Sequence, residues 1–382
     1  MKKIAFALLT IAASVVGSVL LAEVAVRSLL PQWSDQWKMW RIDPVYARGL
    51  QPSVEEAVVH GHSGEFVFRF STNGQGLRMD RDISQTPAAG VRRFITLGDS
   101  FTFGYGVEQN ETYSAELERR LRASDVPAEV VNAGFASGFG LDTEYLFARE
   151  VAVSWQPSEV IIGICLDNDL GDLGLTLWTV SEGRLESITK NNDWVPVWVK
   201  MSGLVNLFVK SAVPRLREFW SHLFVNSAAG ASLTLAPVCT LPPPIAAGAY
   251  GAVVPSLDRS VRVDFGPPAP TQPAERVETL MRALATEAQE NDYKLTILLI
   301  PSAQEVQWDT SPNTLEQRAG IRKVFSGAAE RAGLRVVDPV VQMRQHWCEQ
   351  QEPLYFDQDG HWNAAGHRFI GAWLSQKLNS GL

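Results

Sequence analysis

Cysteine is scarce in this chain. Three occur in 382 residues, Cys165, Cys239 and Cys348, and none forms a C-x-x-C pair. That spacing excludes a zinc ribbon and a thioredoxin-like motif. Blocks of basic residues are also missing, and the formal net charge is -8, so the electrostatic footprint of a nucleic-acid binder is absent. No internal repeat is visible. His60 and His62 stand close together with no third ligand near them, which reads as surface polarity and not as a metal site. With 46% hydrophobic residues, the chain can build one large core, or a core plus an insertion.

The N-terminus is built differently. Lys2 and Lys3 precede an uncharged run of 19 residues, Ile4 to Ala22. That length suits a bilayer better than a signal-peptide core. Leu20-Leu-Ala22 is a poor cleavage site, so an uncleaved anchor is expected, with a cleaved signal as the alternative and a buried core helix as a third reading. The lysines are expected to stay cytoplasmic, leaving the rest of the chain outside, in a bacterial periplasm or at the cell surface. After export, Cys239 and Cys348 could pair; Cys165 lies in an apolar run that reads as core.

From residue 31 to about 90 strand and turn signals mix. Glu65-Phe-Val-Phe-Arg-Phe70 alternates, and Thr72-Asn-Gly-Gln-Gly76 marks a turn. From Arg92 strands and helices alternate. Strands are predicted at Phe94–Leu97, Ala128–Asn132 and Glu159–Leu166, with helices at Tyr113–Arg122 and Thr143–Val153. This succession predicts βαβ units and a doubly wound parallel sheet. An insertion follows from about 173 to 270. It holds an apolar, partly basic helical stretch, Trp198 to Phe224, and two proline-rich passages. A helix packed on the core is expected there, with a membrane-surface or site-capping role as the alternative. The pattern then resumes with a helix from Glu275 to Asn291, a strand at Lys294–Ile300, a helix near Leu315–Ala332, a strand at Arg335–Val337 and a last helix at Ala364–Lys377.

One strand ends in an unusual way. Phe94-Ile-Thr-Leu97 gives way to Gly98-Asp99-Ser100, with Gly104 and Gly106 shortly after. Open α/β sheets place their sites at this carboxyl edge. A serine needs a base to become a nucleophile. Asp357-Gln-Asp-Gly-His361 supplies a histidine on a short loop before a helix that Asn363 could cap. Asp359, two residues before His361, could orient the imidazole and stabilise its charged form. His367 lies inside the helix and is expected to pack or cap. Oxyanion donors could come from Asn132-Ala-Gly-Phe-Ala-Ser-Gly-Phe-Gly140 and from Asp167-Asn168-Asp169, each at a strand end. Ser100 is not in a G-x-S-x-G elbow, because Thr102 holds the last glycine position. The glycines around it are not followed by Gly-Lys-Ser/Thr, which excludes a phosphate loop.

These four segments, in this order, resemble the blocks of the SGNH, or GDSL-type, hydrolase superfamily. Gly98-Asp99-Ser100 matches the first block, Asn132-Ala-Gly134 through Gly138 the second, Asn168-Asp169 the third and Asp359-Gly-His361 the last. The resemblance runs from about Arg92 to Leu378, without the insertion. It implies a three-layer, flavodoxin-like doubly wound sheet over 91–378, following an anchor at 1–30 and an extension at 31–90. It implies Ser100 as nucleophile, His361 as base and then acid, and Asp359 as the orienting carboxylate. Ser100 N–H, Gly138 N–H and the Asn168 amide would form the oxyanion hole, with no metal or organic cofactor.

Three departures stand out. Leu166 occupies the usual glycine position of the third block. The second-block glycine sits one residue late, which keeps Gly134 and Gly140 in play. Gln358 fills the usual Asp position, so Asp357 is the alternate acid. Asp359-Gly-His361-Trp362 is similar to the D-x-H-W form in proteins that handle O-acetyl groups on bacterial polysaccharides, alginate acetylation proteins among them. The implied activity is a serine esterase outside the cytoplasm, acting on acetyl or other small acyl groups of envelope or extracellular carbohydrate. An O-acyltransferase with the same residues, or a non-catalytic glycan-binding envelope protein, is the alternative.

Overall fold

The computed structural model describes residues 2–29, 39–43, 46–61, 64–135, 140–173, 178–181, 184–187, 273–307 and 312–379. Contacts divide the chain into two units, Met1–Trp40 with Thr189–Thr234, and Arg41–Ile188 with Leu235–Leu382. The helical passage expected over Trp198–Phe224 and the proline-rich segments lie outside the described residues, as do Cys239 and His62.

The first unit contains helix α1 (Lys2–Leu29). Its stretch Leu9–Val26 is long and apolar enough to cross a membrane, and only 6% of it is buried. Phe6, Leu9, Val15, Val19, Leu21 and Val24 are all exposed. A core helix would bury at least one such face.

The second unit opens with two small sheets. Strands β1 (Trp40–Asp43) and β2 (Ala47–Leu50) pair, and β3 (Ala57–His60) pairs antiparallel with β4 (Val67–Phe70). In β4 Phe68 and Phe70 are buried while Val67 and Arg69 face out, the two-residue period of a half-buried strand.

The α/β succession then runs β5 (Arg92–Gly98), α2 (Ser100–Phe103), α3 (Tyr113–Ala123), β6 (Ala128–Gly134), α4 (Leu141–Glu150), β7 (Glu159–Cys165) and α5 (Asp169–Asp172). A short antiparallel hairpin, β8 (Trp178–Ser181) with β9 (Arg184–Ser187), follows. Next come α6 (Pro273–Glu290), β10 (Lys294–Ile300), α7 (Ala303–Val306), α8 (Pro312–Arg331), β11 (Arg335–Val337), α9 (Val340–Gln350) and α10 (Ala364–Asn379).

Five strands, four of seven residues and the short edge strand β11, form one parallel sheet in the order β6-β5-β7-β10-β11. In order of appearance within this sheet they run 2-1-3-4-5, the flavodoxin-like doubly wound arrangement. Alternate residues of each strand feed two separate cores. Ile95, Leu97, Val131, Ile162 and Ile297 pack with Phe147 of α4, Leu280 and Leu284 of α6 and Phe325 of α8. Phe94, Val130, Ile161 and Leu298 pack with Leu117 and Leu121 of α3, Met343 of α9 and Ile370 and Leu374 of α10. Both faces are covered, so the strands read as continuous apolar runs.

The sequence did not predict α9. Met343 is its one fully buried residue, with Val340 and Trp347 half-buried on the same face, a stripe narrow enough to be missed among polar neighbours. Other boundaries shift by a turn or less: α4 begins at Leu141, and Ala152–Trp155 forms a separate 3-10 turn.

Candidate active site

The sheet reverses its winding between β5 and β7, and that switch point is where doubly wound folds open a crevice. Gly98 at the end of β5 lies in register with Gly134 of β6 and Gly163 of β7. Three missing side chains let α2 settle on the ends of the strands. A Cβ at Gly134 would lie 2.0 Å from the Phe103 backbone nitrogen, so no other residue fits there without moving α2. The Asp99 carboxylate accepts the Phe101 N–H at 2.9 Å and caps this one-turn helix. Ser100 is thereby the first residue of α2, two positions past the end of the strand, and half-buried.

The other end of α2 is held by Arg78, from the extension before the sheet. Its guanidinium donates to the carbonyls of Phe103 (2.8 Å), Gly104 (2.6 Å) and Val107 (2.5 Å). It also lies over the rings of Phe68, Phe70 and Phe103 at 4.7 to 5.5 Å. Burial pulls its pKa down to about 9, which still leaves a cation at neutral pH.

His361 comes from the loop before α10. Its Nε2 lies 2.7 Å from Ser100 Oγ, and its Nδ1 is hydrogen-bonded to Asp359 Oδ1. The ring sits between Phe101 and Tyr105, with centroids 4.8 and 5.1 Å away. Burial, and secondarily the Asp359 charge, push the Tyr105 phenol up to about 12. Asp357, the alternate acid, is exposed on the far side of Gln358. His367 is fully buried, and its Nδ1 accepts the Tyr113 N–H at the start of α3. Burial pulls it down to about 3, so it stays neutral and serves as a helix cap.

Among the expected oxyanion donors, Asn168 stands half-exposed in the turn after β7. That turn is braced on both sides. Asp169 accepts the Cys165 N–H at 2.7 Å, and Arg318 of α8 donates to the Leu166 carbonyl at 2.9 Å while pairing with Asp167. Leu166 is fully buried in the core, which accounts for a leucine at the position where the resemblance places glycine. Gly138 lies outside the described residues. The N–H groups of its two alternates are already engaged, Gly134 with Asn132 Oδ1 and Gly140 with Thr143 Oγ1, both at 2.9 Å.

A second acid lies under the nucleophile turn. Glu144 of α4 is fully buried, and neither of its carboxyl oxygens has a hydrogen-bond partner among the described residues. Burial, then the charges of Asp99 and Asp142, hold its pKa well above the ordinary value. The folded state therefore keeps a proton that the unfolded chain releases. This contribution to stability is complete below the unfolded pKa near 4.5 and is lost as pH rises through the folded value, by at most about 1.4 kcal/mol per pH unit. Glu144→Gln is expected to stabilise the chain at pH 8 and to be nearly neutral at pH 4.5, as read from urea midpoints across that range. Equal midpoint shifts at both pH values would remove the ionisation account.

Sequence reading did not find Arg78, Arg318 or Glu65, whose carboxylate meets the His361 loop. Each acts across a long separation, and nothing in its immediate neighbours marks it. Among the described residues no group of three or more His, Cys, Asp and Glu side chains is placed to hold a metal ion.

A serine, an imidazole and a carboxylate in one hydrogen-bonded row, at the switch point of a doubly wound sheet, have the arrangement that serine hydrolases use. No family model matches the chain, and no curated protein matches it. Among solved structures it is similar to an acetyl xylan esterase, AlAXEase, at 13% identity over 76% of this chain and 99% of that one, TM-score 0.40. It is similar to the acetylxylan esterase Axe2 from Geobacillus stearothermophilus at 13% identity, covering 76% and 94%, TM-score 0.38. It is also similar to a protein assigned to the G-D-S-L lipolytic family from Desulfitobacterium hafniense DCB-2, at 13% identity, covering 74% and 98%, TM-score 0.38.

Proposed function

We propose that the chain is a serine esterase of the SGNH type, held in a membrane by α1 with its catalytic unit outside the cytoplasm, and that it removes acetyl or other small acyl groups from envelope or extracellular carbohydrate. The observation that carries the chemistry is the 2.7 Å contact between Ser100 Oγ and His361 Nε2, with Asp359 on the opposite ring nitrogen. The carbohydrate and the location rest on the D-x-H-W resemblance and on α1.

The hydrogen-bonded row supports the following steps. Ser100 Oγ attacks the acyl carbon while His361 Nε2 takes its proton, and Asp359 stabilises the imidazolium through Nδ1–H. The carbonyl oxygen becomes an oxyanion, for which Ser100 N–H and the Asn168 amide are the donors proposed among the described residues and Gly138 N–H is the one that the resemblance implies. His361 returns the proton to the departing alcohol oxygen, leaving an acyl-serine. Water then gives a proton to His361 and attacks the same carbon. Collapse of that second tetrahedral species returns the proton to Ser100 and releases the carboxylic acid.

The test uses the full chain in detergent with a fluorescent phosphonate that reacts with activated serines. One label per chain, located on Ser100 by peptide mass spectrometry and blocked by an acetyl ester, is the expected result. Acetylated glycans are then screened for acetate release, with and without unacetylated glycan as competing acceptor. A folded chain that takes no label overturns the esterase reading. Acyl capture by the added glycan in preference to water would replace hydrolysis by transfer.

A further inference from the structure

The acid of the triad sits on a loop that has little support of its own. Phe356 N–H donates to the His361 carbonyl at 2.9 Å, and Gly360 turns the chain at φ 82°. Gln358 and Asp357 are exposed. The bond from Phe356 to His361 ties the two ends of this six-residue loop, but it does not hold the exposed turn between them, and a shift of that turn moves Asp359 relative to the imidazole.

The bracket comes from the other end of the sequence. Glu65, in the turn between β3 and β4, receives two backbone N–H groups of this loop. Gln358 N lies 3.0 Å from both carboxylate oxygens, and Asp359 N lies 2.8 Å from Oε2. Next to this clasp, Phe66 packs on Phe356 (centroids 4.4 Å apart) and on Tyr105 (5.4 Å). Phe66 is buried, so Glu65 adjoins a side chain anchored in the core. Backbone N–H to carboxylate bonds are charge-assisted and roughly twice as strong as neutral ones.

We infer that Glu65 is a positioning residue for ester cleavage: its carboxylate, by clasping the Gln358 and Asp359 N–H groups, fixes Asp359 against His361 Nδ1. Glu65 touches neither Ser100 nor the acyl group in this role. It acts through Asp359 alone, so its effect must depend on Asp359 being able to do its work. The inference rests on the esterase reading above, and it assigns the extension before the sheet a share of the catalytic geometry.

The experiment is a double-substitution cycle on the full chain in detergent, with p-nitrophenyl acetate as the probe. Glu65→Ala is expected to lower kcat by about 10- to 100-fold, the cost typical of an ångström-scale misplacement, with KM within about threefold. Glu65→Gln, whose one carbonyl oxygen can still accept but without the charge that strengthens the bonds, is expected to fall between parent and Glu65→Ala. In an Asp359→Asn background the Glu65→Ala loss should shrink below about threefold, since coupled residues are not additive. The same fold loss in both backgrounds, or a loss carried by KM, overturns the inference and leaves Glu65 a structural residue. An active parent unchanged by Glu65→Ala overturns it while the esterase reading stands. A folded parent with no activity and no phosphonate label overturns both.

Discussion

Ser100→Ala is expected to lower kcat/KM on an activated acetyl ester by about 10⁴-fold or more, with thermal stability unchanged within about 0.5 kcal/mol. Ser100 is half-buried and its hydroxyl contacts the imidazole across 2.7 Å, so truncation removes the attacking atom and little packing. His361→Ala removes the base and is expected to cost a similar factor. Asp359→Asn leaves a neutral partner on Nδ1 and is expected to cost about 10²- to 10⁴-fold. The combined Ser100→Ala, His361→Ala chain should be no slower than either single variant, because residues acting on one step fail together. Stopped-time assays of p-nitrophenol release with the detergent-solubilised chain measure all four. Retention of more than a tenth of the parent rate by Ser100→Ala would place the nucleophile elsewhere.

The second large effect falls on stability. Arg78→Leu keeps the volume of the buried stem but removes the guanidinium donors from three carbonyls at and just after the end of α2, leaving Val107 O without its donor and Phe103 O and Gly104 O with only long bonds from Asn132 Nδ2 and Val107 N–H, and it removes the cation from three aromatic faces. Each buried acceptor stripped of its partner costs about 1 to 3 kcal/mol, so a loss of about 3 kcal/mol or more is expected. That is a large part of a typical folding free energy of about 5 to 15 kcal/mol. Arg78→Lys keeps a charge but cannot present the planar fork, and an intermediate loss is expected. Chemical-denaturation midpoints decide it. A loss under about 1 kcal/mol for Arg78→Leu would show that the nucleophile turn does not depend on this clamp.

The central sheet was legible because both its faces are covered. Continuous apolar strands such as Glu159–Cys165 contrast with amphipathic helices such as α3, and the two periods separate cleanly. The residues that meet at the sheet edge were legible for another reason. Ser100 stands just past β5, Asp359 and His361 stand in the loop before α10, and the three, which the structure brings together, are chemically distinctive. What escaped has the opposite character. Helix α9 has a narrow stripe, Met343 buried with Val340 and Trp347 half-buried, set among polar residues. Arg78, Arg318 and Glu65 act on backbone groups, Arg318 on an acidic side chain as well, and an ordinary arginine or glutamate announces neither role. The choice between Asp359 and Asp357 also needed coordinates, since both lie within four residues of His361 and only the turn at Gly360 decides which faces the ring.

The pieces of this site are far apart along the chain. Ser100 meets His361 across 261 positions, and Glu65 meets Asp359 across 294. Chains emerge from the ribosome N-terminus first, and α1 leads. Ser100 is therefore made long before His361. On the esterase reading proposed above, the serine stays unreactive until the segment around residue 361 has been made and has packed against the sheet, so the distance between the two along the polypeptide acts as a timer.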